Sequence, residues 1–259
     1  MSRKIRIVSL QSGSNGNCYF VESLGIRLLF DAGLSGNLTV QRLYEAGIDI
    51  KTIQGIIISH DHSDHIKGVG VLHRRYGIPV WMTKGTYYQA TEKGRIGRLS
   101  DPNLFHAEET LSFGKLTVET LSTTHDAADG VCFIIDNGTF RLGIMTDLGC
   151  RFLGLREAVS SLDGILLESN YDPEMLRSGR YPADLQRRIR SDKGHLSNED
   201  SAELLLRAGK RLRWACLGHL SEENNDPALA LKTHQKILGD SLSLLTASRY
   251  EGTKLPELY

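Results

Sequence analysis

Apolar positions along the chain fall into short runs separated by polar or glycine-rich breaks. Residues 5–10, 18–21 and 26–31 each predict a strand, and the last follows a turn at Gly25. A Ser/Gly/Asn run over 11–17 joins the first two. Residues 38–46 have helical spacing and stop at Gly47. The β-branched run 56–59 predicts a buried strand, and 66–72 a helix despite its glycines. A strand over 79–82 and a helix over 85–91 follow. Residues 116–121 alternate like a half-buried strand, while 131–136 and 140–145 flank Asn137-Gly138, a hairpin signal. Residues 163–170 predict a strand that carries polar groups to its end, and 212–217 an apolar one. Ser197, with Asp200 three residues on, caps a helix over 199–210. Asp226-Pro227 opens the last helix, and 242–245 is the last strand. No repeat, low-complexity tract or Pro-rich linker breaks this alternation, so residues 1–259 are expected to form a single α/β domain.

The chemistry concentrates at one strand end, in His60-Asp61-His62-Ser63-Asp64-His65. Residues two apart in an extended chain point to the same side, so the His60 and His62 imidazoles can converge on one ion. Asp64 and His65 open the next segment and can serve a second ion beside it. Borderline-soft divalent metals accept this mixture of imidazole and carboxylate. Other strand ends carry His125, Asp147 and His219. The tetrapeptide Gly-His-Leu-Ser occurs at 194–197 and again at 218–221. His219 follows an apolar strand, as a ligand would. His195 stands just before a helix N-terminus, a natural place for a phosphate. The loop over 11–17 offers small residues and hydroxyls that can line an anion site, or simply a tight turn. His73 and His234 fall on helices among charged residues, where a solvent-facing or packed role outweighs ligation.

Composition narrows the partners. Lys+Arg 31 balances Asp+Glu 31, so no global field announces a nucleic acid. Locally, Arg177, Arg180, Arg187, Arg188, Arg190 and Lys193 form the best candidate for phosphate-backbone contact. The basic segment 92–98 reads as a solvated loop. No signal-like or bilayer-spanning apolar run is present, so the expectation is a cytoplasmic enzyme with no membrane partner. Cys18, Cys132, Cys150 and Cys216 have no C-x-x-C spacing and read as buried free thiols.

The H-x-H-x-D-H stretch resembles the signature of the metallo-β-lactamase-fold hydrolases. That resemblance implies a four-layer αβ/βα sandwich, two mixed β-sheets flanked by helices. It implies that His60, His62 and His125 hold one divalent ion, that Asp64, His65 and His219 hold another, and that Asp147 bridges them. Zn²⁺, Mn²⁺ and Fe²⁺ all suit such ligands. A hydroxide held between the ions would attack the substrate, with Asp64 orienting it. His195 is similar to the extra histidine that phosphodiesterase branches use on the leaving group. The stretches 12–17, 60–65, 125–127, 194–198 and 219–225 resemble the YycJ (WalJ) family across essentially the whole chain. The resemblance implies a cytoplasmic DNA exonuclease, acting 5′ to 3′ and linked to repair. Ser14, Asn15, Ser197 and Ser221 are its candidate substrate contacts. The residues alone reach a two-metal hydrolase, with phosphodiesters as the expected substrates. A ribonuclease, a glyoxalase II-like thioesterase or lactonase, and a metal-binding module without turnover stay open.

Overall fold

The structure is a computed structural model that describes residues 3–152 and 154–259. Its strands assemble into two seven-stranded sheets. The first contains β1 (Arg6–Gln11), β2 (Cys18–Ser23), β3 (Ile26–Phe30), β4 (Gly55–Ile57), β5 (Val80–Thr83), β6 (Asn103–Phe105) and the C-terminal β14 (Thr253–Lys254), in the order β14-β1-β2-β3-β4-β5-β6. The second contains β7 (Thr110–Phe113), β8 (Leu116–Ser122), β9 (Val131–Asp136), β10 (Arg141–Met145), β11 (Gly164–Glu168), β12 (Trp214–Gly218) and β13 (Ser243–Thr246), in reverse order. Each sheet is mixed. Hairpin-linked strands pair antiparallel in β1-β2-β3 and β7-β8-β9-β10. Strands joined through helices pair parallel in β3-β4-β5-β6 and β10-β11-β12-β13.

The parallel strands are apolar on both faces because both faces are covered. Between the sheets lies one core, built from Phe20's neighbours Tyr19 and Val21, with Phe30, Ile57, Phe133, Ile144 and Leu166. Phe30 and Phe133 meet across it at 5.1 Å between ring centroids. A second core packs α1 (Gly36–Glu45), α3 (Val69–Tyr76) and α4 (Lys84–Glu92) on the outside of the first sheet. A third packs α5 (Leu155–Ser160), α8 (Asn198–Ala208) and α9 (Pro227–Leu238) on the outside of the second. The layers are therefore helix, sheet, sheet, helix, as the sequence resemblance implies.

Local differences from the sequence reading have physical causes. The helix expected over 66–72 splits into α2 (Ser63–Ile66) and α3, because the Gly68 amide turns aside to the Ala32 carbonyl at 2.7 Å. The arginine-rich segment folds as two short helices, α6 (Pro173–Ser178) and α7 (Ala183–Ile189). Cys18, Cys132 and Cys216 are buried, but Cys150 is only partly so, with its Sγ 3.4 Å from the Thr124 hydroxyl. His73 and His234 are packed histidines: each hydrogen-bonds a backbone carbonyl at 2.9 Å (Ile78 and Ala230).

Candidate metal centre

The C-terminal ends of β3, β4, β8, β10, β11 and β12 converge on one cleft between the sheets, the edge where open α/β folds bind ligands. Three of the chains turn there on non-glycine residues with left-handed backbone: Asp31 (φ 60°), Asp147 (φ 55°) and His219 (φ 53°). Such conformations are uncommon outside glycine and cluster at functional sites. They swing a side chain back over the strand end.

Among the described residues the candidate ligand atoms form four overlapping groups, each within 4.8 Å: His60, His62 and His125; Asp64, His65 and His219; Asp147 with His60 and His65; and Asp147 with Glu168, His195 and His219. Asp147 sits between the first two groups, with Oδ2 3.2 Å from His65 Nε2 and Oδ1 3.7 Å from His125 Nε2 and 3.6 Å from His219 Nε2. His60 Nε2, His219 Nε2 and Asp147 Oδ2 are buried without a hydrogen bond. Orphaned buried polar atoms are costly, and here they share one space. This donor set, imidazoles with two carboxylates, fits divalent ions of the zinc or manganese type.

The opposite ring edges are held. His65 Nδ1–H donates to Asp31 Oδ2 at 2.7 Å. His60 Nδ1 lies 2.9 Å from the Ser59 hydroxyl, which itself donates to Asp31. The His125 Nδ1–H donates to the Gly194 carbonyl at 2.8 Å. Each bond fixes a tautomer that turns Nε2 inward. The loop over 11–17 braces the same cluster and does not simply form an anion cradle. Asn17 Nδ2 lies 3.0 Å from His65 Nε2 and 3.2 Å from Asp64 Oδ2. Ser12 Oγ accepts the His219 amide at 2.9 Å. Gly33 is needed beside it, because a Cβ there would stand 1.6 Å from the Asp64 carbonyl oxygen.

Burial opposes charge throughout the cluster, and opposite charges overcome it at Asp147, His65 and His219 but not at His60. His219 and His65 hold the Asp147 carboxyl well below the usual carboxylate range against that burial. Asp147 and Asp64 push His219 up to about 10 despite its burial, and Asp31 and Asp147 push His65 well above the imidazole range. Burial and its neighbour His65 hold His60 well below it.

Glu168 is the residue that the sequence reading missed. It ends β11, is fully buried, and places Oε1 2.6 Å from His195 Nδ1 and 3.4 Å from His219 Nδ1. Its Oε2 accepts the Leu148 and Leu196 amides, each at 3.2 Å. Burial opposes its charge, but His195 lowers its pKa to about 2. The available signal was a lone acid closing an otherwise apolar strand. Asp61 was also passed over. It is buried inside the motif, where it takes Lys93 Nζ at 3.0 Å and the Ala128 amide at 3.1 Å. Arg95 donates to its carbonyl at 2.8 Å, so the 92–98 loop is tied to the site rather than merely solvated.

His195 stands beside the cluster at 19% side-chain exposure, 3.7 Å from Asp147 Oδ1. It lines a cavity of about 160 Å³ together with His125, Ser14 and Ser221. Asn15 and Ser197 do not line it. Asn15 donates to the Arg249 carbonyl at 2.9 Å, and Ser197 caps α8 by accepting the Asp200 amide at 3.0 Å. In the arginine-rich segment, Arg177 and Arg187 are paired with Glu174 and Asp184 on their own helices, and Arg188 with Asp126.

Known proteins resemble this chain in sequence and in fold. Residues 12–140 match the Metallo-beta-lactamase superfamily. The chain is 40% identical over 229 residues to Exodeoxyribonuclease WalJ of Streptococcus pneumoniae, covering 86% of this chain and 84% of that protein. It is 37% identical over 232 residues to Exodeoxyribonuclease YycJ of Bacillus anthracis, covering 88% and 87%. The crystal structure of the metallo-beta-lactamase fold protein YhfI from Bacillus subtilis superposes with a TM-score of 0.74 at 16% identity, over 98% of this chain and 100% of that one. That likeness establishes the fold, and the two relatives establish the branch: the chain belongs to the WalJ/YycJ family of the metallo-β-lactamase superfamily.

Proposed function

We propose that this protein is a metal-dependent exodeoxyribonuclease that uses a pair of divalent ions. The observation that carries the reading is His195: an imidazole outside the seven expected ligands, at the cluster's edge, with Nδ1 held by a buried glutamate. A phosphodiester's leaving oxygen needs a proton, and this arrangement offers one. The names of the WalJ and YycJ relatives supply the substrate, DNA degraded from an end. They disfavour the thioesterase, lactonase and binding-module alternatives. Both sheets contribute ligand candidates to one cleft, which supports the chain acting as a single domain.

The roles follow from the donor set. His60, His62 and His125 would hold one ion, Asp64, His65 and His219 the other, and Asp147 would touch both. Bound there, the ions would polarise the phosphoryl group and supply a nucleophile at neutral pH. Asp31 and Ser59 keep the His65 and His60 rings in the tautomers that ligation requires. Asp64 lies at 21% side-chain exposure, open enough to orient a nucleophile as well as ligate. Glu168 holds His195 so that its Nε2 proton can pass to the leaving oxygen, and its charge stabilises the imidazolium. Ser14 and Ser221, on the cavity wall beside His195, are placed to meet the phosphate or sugar. The polarity (5′ to 3′), the repair role and the cytoplasmic setting rest on family resemblance, and no helix among the described residues is long and apolar enough to cross a membrane.

Metal titration tests the reading. Chelator-stripped protein should be inert on DNA, and activity should return on adding Zn²⁺ or Mn²⁺, levelling near two equivalents per chain. Activity that levels at one equivalent, or persists in chelator, contradicts it.

A further inference from the structure

Both Gly-His-Leu-Ser copies, 194–197 and 218–221, hydrogen-bond the two residues that follow Glu168. Ser169 donates its amide to the Gly218 carbonyl, and Asn170 donates its amide to the Leu196 carbonyl, each at 3.0 Å. The Ser221 amide in turn donates to the Asn170 carbonyl at 2.7 Å. Two buried asparagines close on this strip. Asn198 follows the first copy and opens α8, and Asn225 lies in the loop after the second. Their side chains pair reciprocally. Asn198 Nδ2 donates to Asn225 Oδ1 at 3.0 Å, and Asn225 Nδ2 donates to Asn198 Oδ1 at 2.9 Å. The Ser169 hydroxyl donates to Asn198 Oδ1 at 2.6 Å. Asn225 Nδ2 also reaches the Ser169 and Asn170 carbonyls, at 2.8 and 3.1 Å, while its Oδ1 accepts the Asp226 amide at 2.9 Å.

We propose that Asn198, Asn225 and Ser169 are positioning residues that hold the His195 imidazole against Glu168; this rests on the reading of His195 as the proton donor. The 2.6 Å contact between Glu168 Oε1 and His195 Nδ1 joins a strand end to a loop. Asn198 closes the run His195-Leu196-Ser197-Asn198, and Ser169 and Asn225 fasten its side chain to the strip beyond Glu168. Leu196 and Asn198 add backbone bonds to the same strip, and the clip supplies its side-chain ties. The other tie of this loop, from the His195 amide to the Ile189 carbonyl at 3.0 Å, leads to α7 and not to Glu168. Each amide of the pair both donates and accepts, and a fully paired buried network fixes one arrangement. Alanine at either position strands the partner amide in a buried site, where an unpaired polar group is costly. The start of α8 then shifts relative to β11, and His195 shifts with it. His219 is held separately. Asn170 Nδ2 donates to its carbonyl at 2.8 Å, and Ser12 Oγ accepts its amide at 2.9 Å. The clip therefore acts on proton delivery rather than on the metal ligands.

The test measures single-turnover rates of metal-saturated, full-length protein on two single-stranded DNAs. One is ordinary. In the other, sulfur replaces the leaving oxygen of the terminal linkage at the digested end, and a thiolate departs without needing a proton. His195→Ala should be slow on the ordinary strand and close to wild type on the sulfur strand. Asn198→Ala and Asn225→Ala should share that signature, losing about 10- to 100-fold on the ordinary strand, the scale of a misplacement of roughly 1 Å. The double variant should be no slower than the slower single one, because both remove the same pair. Ser169→Ala deletes only one hydroxyl bond, so it should keep the fold and show the same signature at about three- to tenfold. Melting temperatures, with all rates taken well below them, separate stability from positioning. Clip variants that slow both strands equally, or neither, overturn the clip and leave the role of His195 intact. A His195→Ala protein that slows both strands equally overturns that role and the clip with it. Wild-type protein that digests neither strand overturns the exonuclease reading itself.

Discussion

Replacing Glu168 with glutamine should reduce DNA turnover nearly as far as removing His195. The carboxylate's two oxygens have different duties. Oε2 accepts the Leu148 and Leu196 amides at 3.2 Å, while Oε1 takes His195 Nδ1 at 2.6 Å. A glutamine must keep its carbonyl oxygen toward those two amide donors, or leave them facing an NH₂ group in a buried site. Its NH₂ then faces His195 Nδ1, which must become an acceptor. The imidazolium form, with a proton on each nitrogen, loses its partner, and a neutral imidazole is a far weaker acid. The charge lost is substantial. Although burial opposes its charge, His195 beside it holds the Glu168 carboxyl below the usual carboxylate range, at about 2, so the charge that glutamine removes is one the site favours. Loss of a positioned general acid costs about 10²–10⁴-fold. Single-turnover digestion of end-labelled DNA would measure this, with metal content checked because Oε1 also lies 3.4 Å from His219 Nδ1. The double variant Glu168→Gln/His195→Ala should be no slower than His195→Ala alone. A double variant slower by the product of the single losses, or a Glu168→Gln protein with full turnover, refutes the idea that Glu168 acts through His195.

Other consequences are open to direct measurement. His219→Ala should weaken or lose one metal and lose activity on every substrate, whereas His195→Ala should keep the metal content of wild type; the reverse pattern in elemental analysis would exchange their roles. Asp31→Ala removes the acceptor of His65 Nδ1, and metal affinity should fall about 10–100-fold in a competition titration; unchanged affinity would make Asp31 a packing residue only. Because the raised His65 and His219 hold protons in the metal-free protein near neutral pH, metal binding should release on the order of two protons per chain. Calorimetry in buffers of different ionisation enthalpy would detect this, and zero release would contradict it. The same sign applies to metal-free stability: the contribution of His219 is complete below the ordinary imidazole pKa and is lost as pH rises through about 10. Arg180, Arg190 and Lys193 are exposed with no carboxylate partner among the described residues. DNA affinity should therefore fall with log salt at a slope of about −2, the value for three single-strand phosphate contacts; a flat response would remove this face from the strand's path.

The parts of the site readable from sequence were those encoded locally. His60 and His62 share a side because they lie two positions apart on an extended chain, and His125, Asp147 and His219 each close an apolar run. Their meeting in space follows from two sheets whose strand ends share one edge. Glu168 was illegible because its partner, His195, is 27 residues away and joins it only when Leu196 pairs back toward β11. Asp61 hides inside the motif that drew attention to its neighbours, and its partners Lys93 and Arg95 come from a loop with no regular pattern. The short elements β6, β7, α5, α6 and α7 lack enough residues to show a period. The arginine-rich segment looked more basic than it is. Glu174 and Asp184, three residues before Arg177 and Arg187, were visible as neutralising partners at helical spacing.

The most direct measurement is digestion of single-stranded DNA labelled at one end or the other, by protein reconstituted with Mn²⁺ or Zn²⁺, beside the same length of RNA and a thioester. The account predicts progressive loss of nucleotides from one DNA end, abolished by chelator and by His219→Ala, and slowed about 10²–10⁴-fold by His195→Ala. Rapid thioester hydrolysis with both nucleic acids left intact would contradict it.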